Sequence, residues 1–151
     1  GALSYAVKNP AVAAIDGIGI ITLKGCGRTE VVITAAAHGE YKAAEKTITL
    51  TVSPKKLKGI SAKSTKAGTL TVKWKKDTSA SGYIIECSTD RKFRKNVKAA
   101  TVKKNKTTSK KITKLKSGKK YYVRACAYAQ AGGTKIRGAY ASGKKAVKVK
   151  K

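Results

Sequence analysis

The residues from Leu70 to Ser88 read LTVKWKKDTSASGYIIECS, which is two apolar alternations separated by a Ser/Gly-containing turn. Leu70, Val72 and Trp74 occupy every second position of the first alternation, and Tyr83 begins the second. Side chains alternate between the two faces of a β-strand, so a period of two predicts a pair of half-buried strands here.

The same alternation continues on both sides of this stretch. It recurs downstream in residues 111–113, 121–128 and 146–150, and upstream in residues 47–52. Short strands at such spacing, divided by turn residues, are typical of a β-sandwich, and helix-forming patterns are nearly absent. We therefore predict an all-β chain. Its predicted core residues are Trp74, Tyr83, Ile85, Tyr121 and Val123.

Charge divides the chain into two parts. Residues 1–55 carry six Lys/Arg and four Asp/Glu, whereas residues 56–151 carry 29 Lys/Arg and three Asp/Glu, a net +26. Pro54 lies at the break and has no N–H to donate to a strand ladder. The chain is therefore expected to contain two domains. The predicted bounds are residues 1–53, a linker at residues 54–56, and residues 57–151.

The second predicted domain shares several features with a known family. Trp74 lies on its second strand, residues 82–85 read GYII, residues 115–123 read LKSGKKYYV, and residues 140–142 read YAS. In the order and spacing of these features it resembles a fibronectin type III domain over its full length. The resemblance implies a β-sandwich with a tyrosine corner, in which the hydroxyl of Tyr121 bonds to the backbone just upstream.

The first predicted domain resembles the later part of a bacterial immunoglobulin-like domain of the intimin and invasin group. Such domains normally have about one strand more at their start, so the resemblance implies a sandwich without its opening strand and with an unpaired sheet edge. An upstream segment of a longer parent or a neighbouring chain is expected to supply that strand. The resembling stretches are residues 3–5, 9–13, 25–27, 31–34, 41–44 and 47–52.

Residues suited to catalysis or metal binding are scarce. The single histidine, His38, lies before Gly39 in a predicted turn, and an isolated imidazole lacks the partners that general-base or metal chemistry needs. The seven carboxylates form no calcium-loop pattern, and no Gly-rich phosphate loop is present. We therefore predict a protein that is not an enzyme and has no catalytic residue, cofactor or metal site.

Two cysteines lie in predicted strands of the second domain. Strand parity places Cys87 with Tyr83 and Ile85 on the core face, and places Cys126 on the outer face. Side chains on opposite faces of one sheet cannot form a disulfide without a register slip. Cys87 is therefore predicted to be a small buried apolar residue, and Cys126 an exposed thiol.

The excess of positive charge has two interpretations. Lysines on strand edges discourage pairing with other sheets, in which case the charge only solvates the surface. Alternatively, they attract a polyanion such as teichoic acid or an acidic glycan. Of the 35 basic residues 30 are lysine, and sites that read phosphate geometry favour arginine, so no specific nucleic-acid recognition is predicted. The candidate polyanion contacts, all directed outward by parity, are Lys73, Lys75, Lys111, Arg124, Lys148 and Lys150.

A partly apolar patch is a further candidate contact. Parity places Ile84, Tyr122 and Tyr128 outward beside Arg124. Exposed apolar side chains can mark a contact site, unless the loop of residues 92–106 folds over them and covers the patch. Both alternatives stay open on the sequence.

Together these features predict an extracellular or bacterial cell-surface protein. The resemblance implies a non-catalytic spacer, display or adhesion module, whose partners are the neighbouring domains of a larger surface or secreted polypeptide. The alternatives are an electrostatic module that binds cell-wall or host polyanionic glycans, and a decoration protein of phage virions. No apolar stretch approaches the ~20 residues of a membrane helix, so no membrane insertion is expected.

Overall fold

The computed structural model describes residues 1–151, and all fourteen of its regular elements are β-strands. It contains no helix with the length and apolarity to cross a bilayer. The chain separates into two compact units, which are described in turn as the first and the second unit. The first is Gly1–Ser53 with Ala131–Thr134, and the second is Pro54–Gln130 with Lys135–Lys151. The predicted all-β fold class is confirmed.

The first unit is built on one three-stranded antiparallel sheet. The sheet has the order β1–β4–β5, so β1 and β5 are its edges. A separate hairpin pairs β2 with β3. The strands are β1 (Leu3–Val7), β2 (Ala13–Ile15), β3 (Ile21–Leu23), β4 (Gly27–Ala35) and β5 (Ala44–Val52).

Most apolar side chains of this sheet share one face, and only Ala6 and Val32 lie on the other. Val31 on β4 is paired with Val7 on β1 and with Ile48 on β5. Val31 is buried, but Leu3 and Ile48 stay 54% and 42% exposed. Because burial of apolar surface is the dominant favourable contribution to folding, this half-covered sheet contributes less stabilisation than a closed sandwich.

The second unit is a sandwich of two antiparallel sheets. The smaller sheet has the order β10–β7–β6, and the larger has the order β12–β11–β8–β9, with β13 and β14 also paired to β11. The strands of the smaller sheet are β6 (Ser61–Lys63), β7 (Leu70–Lys73) and β10 (Ser109–Ile112). Those of the larger are β8 (Gly82–Ser88), β9 (Lys98–Val102), β11 (Lys120–Ala131), β12 (Thr134–Arg137), β13 (Ala141–Ser142) and β14 (Val147–Lys148).

The predicted core lies in this sandwich. The rings of Trp74 and Tyr83 have centroids 5.1 Å apart and planes tilted by 58°, an arrangement within the range that aromatic pairs prefer. The hydroxyl of Tyr83 donates a hydrogen bond to the carbonyl of Asn105. All five predicted core residues are buried, namely Trp74, Tyr83, Ile85, Tyr121 and Val123.

A tyrosine corner closes the connection from β10 to β11. The Oη atom of Tyr121 accepts a hydrogen bond of 3.1 Å from the backbone N–H of Lys116. Between them Gly118 has φ of +75°, a left-handed conformation that glycine adopts without a Cβ clash. The bond to the backbone just upstream is the one that the family resemblance implies.

The outer face of β8 and β11 is covered. Ile84 and Tyr128, for which exposure and coverage were both open, are therefore buried, and the predicted exposure of Cys126 is wrong. Their side chains point away from the core, yet all three are buried. Tyr140 packs against them. The ring of Tyr128 lies over Gly82, and a Cβ atom at residue 82 would overlap this ring. The exposure of Cys126 was wrongly predicted because parity gives the direction of a side chain but does not reveal a distant segment that covers it.

Candidate functional site

Arg124 lies in a cluster of polar and aromatic side chains on that outer face. Its Nε and Nη2 atoms lie 2.7 and 2.6 Å from Oε2 of Glu86, which the β8–β11 register places directly opposite. Its Cζ atom lies 4.3 Å from the centroid of the Phe93 ring and 4.2 Å from that of Tyr140. Because its guanidinium is already paired and stacked, the structure gives no support to Arg124 as a polyanion contact, and that role stays a prediction.

The hydroxyl of Tyr140 completes this network. It donates a hydrogen bond of 2.8 Å to Oε1 of Glu86, so each oxygen of this carboxylate accepts from a neighbouring side chain. Burial, together with the bond to Glu86, raises the pKa of Tyr140 to about 12. The phenol therefore keeps its proton and its donor role at neutral pH. The network holds the segment of Tyr140 against the sheet.

The two other carboxylates of the second unit accept hydrogen bonds from nearby backbone, and the thiol of Cys87 is buried. Asp77 accepts a hydrogen bond from the backbone two residues on. Asp90 accepts from the backbone N–H groups of Lys92 and Arg94, which lowers the pKa of its carboxyl. Burial raises the pKa of Cys87 to about 11, so its thiol stays protonated. No three His, Cys, Asp or Glu side chains are grouped as metal ligands.

The remaining candidate polyanion contacts are exposed but lie in separate places. Lys73 and Lys111 share the outer face of the smaller sheet. Lys148 lies on β14 of the larger sheet, opposite Lys120. The other two, Lys75 and Lys150, each lie two residues beyond a strand end. Tyr122, from the predicted apolar patch, is half-buried. The predicted contacts therefore do not converge on one site.

The smaller sheet gathers three lysines around one threonine. Its register pairs Thr71 with Lys63 on β6 and with Lys111 on β10, and Lys73 lies two residues further along β7. Neighbouring strands lie ~4.8 Å apart, so these lysines emerge from a patch ~10 Å wide. We refer to Lys63, Lys73 and Lys111 as the lysine face. The outward residues that oppose Lys73 are Ser61 and Ser109.

Sequence reasoning missed Lys63 because it did not identify β6. This strand has only three residues, Ser61–Lys63, and its one apolar side chain, Ala62, is small. The alternation of Ile60 and Ala62, both packed against the core, was the only signal that could have revealed it. Such a short pattern does not distinguish a strand from a loop.

The chain is similar to two domain families. The model of the fibronectin type III domain matches residues 53–140, and that of the intimin immunoglobulin-like domain matches residues 1–37. These matches confirm both resemblances. No curated protein matches the chain.

Two chicken structures share the fold over most of the chain. The FN1–FN3 domains of chicken CNTN1 are 15% identical to it, with a TM-score of 0.54, and the match covers 97% of this chain and 57% of that one. The two-domain fibronectin type III segment of chicken tenascin is 21% identical, with a TM-score of 0.57, and the match covers 93% of this chain and 80% of that one. At such identities the likeness shows the fold alone.

Proposed function

The chain belongs to the fibronectin type III domain family, and we propose on that basis that it is a non-catalytic spacer, display or adhesion module of a larger bacterial surface or secreted protein. The observation that carries this proposal is the tandem arrangement, in which part of an intimin-type immunoglobulin-like domain precedes the fibronectin type III domain. Its partners are then the neighbouring domains of the parent polypeptide, and its location is outside the cell.

Surface exposure is the first expected consequence. An antibody raised against residues 57–151 is expected to label intact cells of the bacterium that encodes the chain, or to detect the protein in the culture medium. Brief protease treatment of intact cells is expected to remove the surface label, while a cytoplasmic marker stays protected. Fluorescence of unpermeabilised cells measures this. Labelling that needs permeabilisation, with no antigen in the medium, would contradict the proposal.

The lysine face supports a second candidate function, electrostatic binding of a cell-wall or host polyanionic glycan. Lys63, Lys73 and Lys111 are exposed, and the register places no carboxylate among them. Like charges on neighbouring strands are unfavourable, and a bound polyanion would offset their repulsion. Lysine binds phosphate as a point charge, which suits a flexible anionic polymer better than geometric readout.

Removing the lysine face is expected to weaken binding to teichoic acid, a phosphate polymer. Affinity falls as salt rises, so the slope of log affinity against log salt is negative. The triple variant Lys63→Gln, Lys73→Gln, Lys111→Gln is expected to make this slope less steep by about 2, because three phosphate contacts are lost. Binding measured by biolayer interferometry over a salt series gives this slope.

A matched variant tests whether position matters. Lys103, Lys104 and Lys106 are exposed in the loop between β9 and β10, and replacing them with glutamine removes the same charge from elsewhere in the second unit. Equal slopes for the two triple variants would show that attraction is diffuse over the unit. An affinity that does not change with salt would exclude the electrostatic account altogether.

A further inference from the structure

We propose that a cavity at one end of the second unit binds an anionic sugar, recognised through a sulfate, phosphate or carboxylate group on the ring. The cavity has a volume of about 520 Å³ and lies between the start of β9 and the connection from β10 to β11. Its charged lining residues are Lys98, Lys114, Lys116 and Lys119. The site is separate from the lysine face, and the inference does not depend on the polyanion role of that face.

The charge of the lining points to an anion. Four lysines and no carboxylate line the cavity. The acidic residue nearest to it in sequence, Asp90, is held by the backbone N–H groups of Lys92 and Arg94 and is not part of the lining. A cleft lined by one sign of charge concentrates the field and attracts the opposite ion. A bound anion would therefore offset the repulsion among these lysines.

The walls of the cavity are fixed by contacts within the protein. The ammonium group of Lys98 donates a hydrogen bond to the backbone carbonyl of Lys114, which joins β9 to the connection after β10. An ammonium has three N–H donors, so two remain for a ligand. The backbone of Lys116 is held by the hydroxyl of Tyr121. These two contacts link parts of the cavity wall without a ligand, and small-molecule sites are usually largely formed in advance.

The uncharged lining favours a sugar ring over a bare ion. Val97 is 38% exposed at the cavity and offers an apolar surface. The side-chain amide of Asn96 donates to the hydroxyl of Thr89 at 3.4 Å, which leaves its carbonyl oxygen to accept from a sugar hydroxyl. The volume falls within the ~300–1,000 Å³ of small-ligand sites.

The lining does not suit nucleic acid. Its one aromatic residue, Tyr121, is buried, with its hydroxyl engaged by Lys116, so no ring is offered for base stacking, the main contact in single-strand binding. No arginine lines the cavity, and arginine is the residue that reads phosphate geometry with two parallel hydrogen bonds. An anionic glycan is therefore the ligand class that the cavity fits.

Titration with the fully sulfated heparin disaccharide tests the site. Amide chemical shifts are expected to move saturably, with one-to-one stoichiometry, at residues 96–98 and 114–121. Lactose, a neutral disaccharide, is expected to cause no saturable shift. Inorganic sulfate is expected to bind at least about fivefold more weakly than the disaccharide, because it lacks the ring contacts.

Two double variants of equal charge separate the cavity from general attraction. Lys116→Gln with Lys119→Gln is expected to weaken disaccharide binding at least about tenfold. Lys103→Gln with Lys104→Gln, at the end of β9 away from the cavity, is expected to change it less than about threefold. All four side chains are exposed, and unfolding followed by fluorescence checks that each variant is folded.

Several outcomes would overturn the proposal. These are equal weakening by the two double variants, shifts confined to the lysine face, equal binding of lactose, equal binding of inorganic sulfate, and the absence of saturation. The shift map of the unmodified protein locates the bound disaccharide even if a variant fails to fold. Failure here would leave the spacer or adhesion role intact, since that role is tested by surface labelling.

Discussion

Replacing Tyr83 with alanine is expected to lower the free energy of unfolding of the second unit by about 4 kcal/mol. Tyr83 is fully buried and its ring packs against Trp74. Truncation removes that packing and leaves the carbonyl of Asn105 and the N–H of Asp77 without the hydroxyl that now bonds to both. Because domains are stable by only ~5–15 kcal/mol, the variant is expected to lose a large part of its stability.

Urea unfolding followed by fluorescence measures this loss. Trp74 is the only tryptophan of the chain, so its signal reports on the second unit alone. Tyr83→Phe is the matched control, since it keeps the ring and removes only the hydroxyl. It is expected to lower the free energy of unfolding by about 1 kcal/mol. An alanine variant as stable as the phenylalanine variant would show that the Trp74–Tyr83 pair is not part of the core.

Strand periodicity was sufficient to predict the sandwich and its core. Leu70, Val72 and Trp74 alternate with polar residues because β7 has one face in the core and one in solvent. The same parity correctly separated the faces of Cys87 and Cys126, since β8 and β11 pair with Val123 opposite Cys87 and Ile84 opposite Cys126. The positions of strands and the face on which each side chain lies follow from local backbone geometry, and they can therefore be predicted from neighbouring residues.

Contacts between distant segments were not predictable in this way. Tyr140 covers the outer face through a hydrogen bond to Glu86, 54 residues earlier in the chain. The residues around Tyr140 in the sequence give no sign that Glu86 is its partner. The cavity beside β9 likewise depends on a contact between segments of the two sheets, the hydrogen bond from the ammonium of Lys98 to the carbonyl of Lys114. Because residues 56–151 contain 29 basic residues, lysine content could not distinguish these positions from solvated ones.

Neutralising Glu86 is expected to lower the free energy of unfolding of the second unit by about 2 kcal/mol. Glu86→Gln keeps the size of the side chain but leaves the guanidinium of Arg124 without its counterion. A buried pair that loses one partner costs about 3–5 kcal/mol. The expected loss is smaller because the Arg124 side chain is 28% exposed and keeps its stacking on Phe93 and Tyr140.

Measuring the stability of Glu86→Gln at high salt distinguishes two effects, the loss of the ion pair with Arg124 and the increased repulsion among the lysines. Glu86 is one of only three acidic residues among residues 56–151, so its loss also increases general repulsion among the lysines. At 1 M NaCl the Debye length is ~3 Å and long-range repulsion is screened, whereas a partly buried pair is screened much less. Most of the loss is therefore expected to persist at high salt. Full recovery of stability there would mean that the pair with Arg124 contributes nothing.

A double-mutant cycle isolates the pair from the packing of its members. Arg124→Met keeps a long side chain between the rings and removes the charge, and the double variant removes both charges at once. The double variant is expected to be more stable than the sum of the single effects predicts, by about 1–2 kcal/mol. The reason is that neither partner is then left buried and uncompensated. Additive effects would mean that Glu86 and Arg124 act independently, and the outer face would then be held by the Tyr140 ring alone.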